Sequence, residues 1–72
     1  MQEIELISIK KGEKILFTED WAKISIFEKG GKLIRSVDDK NHFLTSNIPA
    51  GWYLVILTDY NGQNYKRNLI II

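Results

Sequence analysis

Few side chains in this sequence belong to the types that catalyse reactions or hold metal ions. His42 is the single histidine and there is no cysteine, so thiolate chemistry and disulfides are excluded. Asp38 and Asp39 are adjacent carboxylates, but the further carboxylates and the glycine of a calcium loop do not follow them. No serine or threonine stands in a nucleophile-elbow context. We therefore expect no enzyme activity, cofactor, metal site or small-molecule substrate, and we expect these three residues to be solvated.

The charge pattern limits the classes of partner. Ten lysines and arginines oppose nine acidic residues, and the signs are interspersed, which argues against a nucleic-acid interface. No apolar run approaches the roughly 20 residues of a membrane span. Residues 1–5 lack the basic and apolar regions of a signal peptide, so the chain is expected either to act inside a cell or to be a piece of a longer exported protein. Lys66 and Arg67 predict a solvated sheet edge, with docking to an acidic partner or edge protection as alternatives.

The elements that must position any site are organised around residues 48–58. Pro49 and Gly51 predict a tight turn, because proline fixes φ and glycine adopts positive φ without steric cost. An apolar strand follows from residue 52 to residue 60, and Asn61-Gly62 ends it with a hairpin signal. A strand that is apolar on both faces needs cover on both faces, from this chain or from a partner.

The rest of the chain also predicts β structure. Residues 21–28 alternate most clearly, and Gly30-Gly31 then predicts a hairpin turn. Turn signals recur about every ten residues, which is typical of a β-sandwich or a small barrel. The length predicts one domain over residues 1–72. The seven predicted strands cover residues 3–9, 14–18, 21–28, 33–37, 42–45, 52–60 and 63–72.

Five segments of the chain share a family pattern: Ile24-Ser25-Ile26-Phe27, Gly31-Lys32-Leu33-Ile34, Asn47-Ile48-Pro49-Ala50-Gly51-Trp52-Tyr53, Asp59-Tyr60-Asn61-Gly62 and Lys66-Arg67-Asn68-Leu69-Ile70. With these segments, about two thirds of the chain resembles the C-terminal sorting domain (type A) of type IX secretion cargo in Bacteroidetes. The resemblance implies an all-β fold, a small seven-stranded antiparallel immunoglobulin-like β-sandwich. It marks Gly31, Pro49, Gly51, Tyr53 and Gly62 as turn and core residues that define the fold.

A candidate partner interface follows from alternation along residues 52–58. Tyr53, Val55 and Leu57 are expected to face the core, with the Tyr53 hydroxyl reaching a backbone group. The opposite side chains form an exposed apolar patch, unless the first strand or the N-terminal segment covers them. Trp21 has two readings, packing at the core edge or anchoring an interface. The candidate interface residues are Trp52, Leu54, Ile56, Ile70, Ile72 and Trp21.

Two functions remain open from the sequence. The first is a non-enzymatic structural module that docks on a larger protein assembly or on itself, for example a capsid-decorating virion protein of a Bacteroidetes phage. Its location would then be the virion or the host cytoplasm. The alternative is an excised sorting domain that directs a cargo protein through type IX secretion, located at the cell surface or secreted.

Overall fold

The computed structural model describes residues 5–72, which form five strands and no helix. They build one sheet of order β1-β5-β4-β2-β3, in which β1 runs parallel to β5 and the other neighbours are antiparallel. The all-β prediction is confirmed, but the sheet is mixed and has five strands, not seven. The strands are β1 (Glu5–Ile9), β2 (Lys14–Glu28), β3 (Leu33–Leu44), β4 (Gly51–Thr58) and β5 (Asn64–Ile71).

The difference in strand number arises because two predicted breaks are bends inside long strands. Residues 17–20 separate Leu16 from Trp21 on β2, whereas Asn41 alone separates their β3 partners His42 and Lys40. Unpaired extra residues bend a strand without ending it. Opposite this bulge Asp39 has a φ of 58°, so β3 bends as well. Of the first predicted strand, residues 3 and 4 lie outside the described residues.

The bends fold the first half of the β2–β3 ribbon over one face of the sheet. Ile15 and Phe43 from this half are buried in the same cluster as Leu57, Leu69 and Ile71 from the other strands. Thr45 Oγ1 donates a hydrogen bond to the backbone oxygen of Glu13, which closes the end of the folded-over layer. The core therefore lies between the sheet and its own folded ribbon. Its buried apolar residues are Ile15, Trp21, Ile24, Ile26, Phe43, Ile48, Val55, Leu57, Leu69 and Ile71.

The turn before β4 has the features that the sequence predicts. Gly51 has a φ of +153°, which favours glycine over residues with a β-carbon. The Tyr53 hydroxyl donates to the backbone oxygen of Pro49 at 2.5 Å, and its ring packs against the core. Gly31 and Gly62 also have positive φ and donate to Glu28 O and Asp59 O in two similar hairpins.

Candidate functional site

The face of the sheet opposite the core, which we call the outer face, is the candidate site. Alternation along β4 determines which side chains lie on this face. Val55 and Leu57 are buried in the core. Trp52, Leu54 and Ile56 therefore project to the outer face. Trp52 is 53% exposed, and Leu54 and Ile56 are half-buried. No described strand packs over them, since the folded ribbon covers the other face.

Neighbouring strands extend this apolar surface on both sides of β4. Trp52 lies opposite Ile70 of β5, so these two predicted members share the face. Leu54 lies between Asn68 of β5 and Phe27 of β2. Ile72 follows β5, is 69% exposed and shares the parity of Ile70. The structure thus brings five of the six predicted interface residues to one side of the sheet.

Trp21 does not belong to the outer face. Its side chain is 8% exposed and packs in the core, with its ring 5.6 Å from that of Tyr65 in an edge-to-face arrangement. Trp21 thus has the core-edge packing that the sequence left open as an alternative, and it lies away from the other five candidate interface residues. The indole is buried because the bend of β2 turns residue 21 inward beneath the folded ribbon. Its Nε1 is buried without a hydrogen-bond acceptor among residues 5–72.

Sequence reasoning left three apolar members of the outer face out of the candidate interface. Alternation along residues 21–28 predicts that Phe27 faces out or lies at an edge. Phe27 pairs with both Leu54 and Leu33, so it lies on the outer face in the middle of the sheet. Leu33 and Leu6 are exposed at the two sides of the sheet, and Leu6 lies opposite Asn68. Ile7 and Ile9 pack against the core. Because successive side chains of a strand point to opposite faces, Leu6 then lies on the outer face.

The outer face contains a shallow depression of about 510 Å³ beside Trp52. Phe27, Leu54 and Ile56 form its apolar floor, and Glu28 and Lys29 lie at its rim. An apolar centre with a polar border is the usual make-up of a protein interface. This geometry suits an apolar side chain of a partner protein.

The single histidine and the aspartate pair do not line the depression of the outer face. His42 is half-buried on β3 with its Nδ1 3.2 Å from Asn41 Oδ1. Asp38 lies 3.9 Å from the Lys23 ammonium, and both are exposed. Among residues 5–72 no group of three histidines or carboxylates is placed to hold a metal ion. Asp39 instead accepts a hydrogen bond from the Tyr60 hydroxyl.

The predicted basic pair is divided between the two faces of β5. Lys66 lies opposite Ile56 and is exposed on the outer face. Arg67 lies opposite Val55, is half-buried and points to the core side. Adjacent residues on a strand project to opposite faces, so the pair does not form one basic patch.

No protein-family model matches the chain, and no curated protein is significantly similar to it. No helix within residues 5–72 is long and apolar enough to cross a membrane. The functional argument therefore rests on the geometry of the outer face.

Proposed function

We propose that this protein is a non-enzymatic assembly module that docks on a larger protein complex through its outer face. The observation that supports the proposal is the continuous apolar surface of Phe27, Trp52, Leu54 and Ile56, which the described chain leaves uncovered. Contiguous exposed apolar patches on small soluble domains usually mark binding surfaces. Trp52 is the expected anchor, because tryptophan is enriched among the residues that dominate binding energy.

The partner is expected to be a protein surface with an apolar projection. Burying Trp52 and its neighbours removes apolar area from water, which favours association by about 25 cal/mol per Å² before entropic costs. The rim residues Glu28, Lys29 and Lys66 would then fix orientation through hydrogen bonds and ion pairs. In its most specific form the proposal is an accessory virion protein of a Bacteroidetes phage with an immunoglobulin-like fold, an idea that depends on the family resemblance.

The experiment compares matched surface variants in extracts of the source cells or virions. Trp52→Glu and Ile56→Lys should fold, shown by an unchanged circular dichroism spectrum. In about 0.5 M salt, which screens contacts that depend on charge alone, they should elute at the mass of the free chain. Leu16→Glu is the control, because Leu16 is 69% exposed and pairs with His42 on the folded ribbon, away from the outer face. Wild type and Leu16→Glu should elute in a high-mass fraction. The proposal is wrong if the outer-face variants elute there too.

A sorting domain for type IX secretion is the second candidate. The turn before β4 favours this candidate, because it belongs to the sequence pattern of the family. In this turn the Tyr53 hydroxyl donates a hydrogen bond to Pro49 O. Fusion of residues 1–72 behind an export signal and a reporter, in a cell with type IX secretion, tests it. Reporter on the cell surface or in the medium would support a sorting function, and reporter retained in the periplasm would contradict it.

A further inference from the structure

One end of the sheet, which we call the acidic end, gathers carboxylates from three separate segments. The bend of β2 supplies Glu19 and Asp20, and the β4–β5 turn supplies Asp59; all three line a depression of about 480 Å³. Asp39 from the bend of β3 adjoins them through its hydrogen bond with Tyr60. Arg67 also lines this depression, and Lys40 belongs to the bend of β3. These two cations offset two of the four carboxylates, which leaves the end with an excess of negative charge.

The opposite end of the strands, which we call the basic end, is rich in lysine. The turn after β1 is placed there by the hydrogen bond from Lys11 N to Ile72 O. The β2–β3 hairpin lies at the same end, beyond the pair Phe27 and Leu33. Lys14 also lies at this end. It pairs with Leu44, and the hydrogen bond from the Arg35 guanidinium to Leu44 O holds Leu44 near the start of β3. The lysines of the basic end are Lys10, Lys11, Lys14, Lys29 and Lys32.

The acids at the basic end do not cancel its charge. Glu13 and Glu28 oppose the five lysines, and Glu13 Oε1 already accepts a hydrogen bond from the backbone nitrogen of Lys10. The ends are separated by the length of β4, roughly 25 Å for eight extended residues. This exceeds the screening length of about 8 Å at physiological salt, so the ends act as separate charged surfaces.

We propose that copies of this chain associate head to tail, with the acidic end of one copy against the basic end of the next. Each end carries the charge that the other needs, so the complementary partner of either surface is present on a second copy. A formal net charge of +1 leaves little overall repulsion between copies. The rings of Tyr60 and Tyr65 in the acidic depression also offer faces to incoming lysine ammonium groups. Because the two surfaces differ, the contact repeats and builds rings or open chains.

Sedimentation of the purified chain over a range of concentrations and salt tests this assembly. We expect the mass to rise with concentration at low salt and to return to that of one chain at about 0.5 M salt, where the screening length is only about 4 Å. The association is independent of the outer face, so Trp52→Glu should retain it. A single-chain mass at every concentration in low salt would overturn the proposal. Association that persists at high salt and is lost in Trp52→Glu would also overturn it, because it would place the contact on the outer face.

Charge exchange between the two ends gives the sharpest control. The pair Glu19→Lys and Asp20→Lys makes both ends positive, and the pair Lys29→Glu and Lys32→Glu makes both ends negative. Each double variant alone should lose self-association by about tenfold or more, since like charges then face each other. An equimolar mixture of the two should associate again, and so should the chain with all four changes. Lys66→Glu reverses a single charge on the outer face near the acidic end, and it should not weaken the association because it adds no positive charge there. Failure of the mixture to associate would show that end-to-end charge is not the cause.

Discussion

The guanidinium of Arg35 donates a hydrogen bond to the backbone oxygen of Leu44 at 2.7 Å. Both residues belong to β3, and nine extended residues would separate them by roughly 30 Å. A side-chain contact is possible only because β3 reverses direction at Asp39, where φ is 58°. A second bond, from Arg35 to Ser46 O at 2.9 Å, holds the reversed segment in place. The contact thus fixes the folded ribbon over the core.

Loss of this clamp should destabilise the whole domain. Arg35→Met removes two hydrogen bonds from a charged donor, and we expect the free energy of unfolding to fall by about 1–3 kcal/mol. Lys40→Met is the control, because Lys40 is an exposed cation on the same strand. Urea denaturation followed by tryptophan fluorescence measures both. Equal stability of the two variants would mean that the clamp does not hold the ribbon.

The sequence predicts the positions of the bends but not their nature. Glu19-Asp20 and the polar run of residues 38–41 interrupt the apolar alternation, which is why each long strand was predicted as two. A bulge and a strand end leave similar local signals, and tertiary packing decides between them. Here the burial of Ile15 and Phe43 against the sheet favours a continuous bent strand.

The candidate site is predictable only where it depends on local alternation. Trp52, Leu54 and Ile56 share a face because they alternate along one strand, and the hairpin adds Ile70. The pairing of β1 with β5 joins the two ends of the chain, and no local pattern specifies such a contact. Leu6 therefore escaped prediction, and so did the acidic end, which needs three distant segments to meet.

The core position of Trp21 predicts an unequal response to two substitutions. Trp21→Ala should cost about 3–5 kcal/mol, because it leaves a large cavity. Trp21→Phe should cost only about 1–2 kcal/mol, since the indole nitrogen has no hydrogen-bond acceptor among the described residues to lose. Thermal denaturation of both variants measures the difference. A phenylalanine variant as unstable as the alanine variant would contradict this account of the indole.

Neighbouring residues of β4 should differ sharply in their tolerance of charge. Val55 is 1% exposed in the core, so Val55→Lys buries an unpaired charge and should prevent folding. Ile56 projects to the outer face, so Ile56→Lys should cost no more than about 1–2 kcal/mol. Circular dichroism during thermal denaturation compares the two variants. If Ile56→Lys also failed to fold, the outer face would be part of a core.

The tyrosines of the acidic end should titrate at high pH. A hydrogen bond to Asp39, with burial and the charges of Asp39 and Asp20, raises the pKa of Tyr60 from 10.0 to about 12. The pKa of Tyr65 is also raised, mainly by its hydrogen bond to Asp59. Because the folded state holds the Tyr60 proton more tightly than the unfolded state, its contribution to stability is complete below pH 10. That contribution should be lost between about pH 10 and 12.

Two variants isolate the Tyr60 contribution. Asp39→Asn removes the negative acceptor and should lower the pKa of Tyr60 towards its ordinary value, measured by ultraviolet absorbance of the ionised phenol. Tyr60→Phe should be less stable than wild type at neutral pH, and the difference should vanish as the pH rises through about 12. A difference that stayed constant with pH would show that the hydroxyl does not bind Asp39 in solution. Lys66→Met, far from this hydrogen bond on the outer face, should leave the titration unchanged.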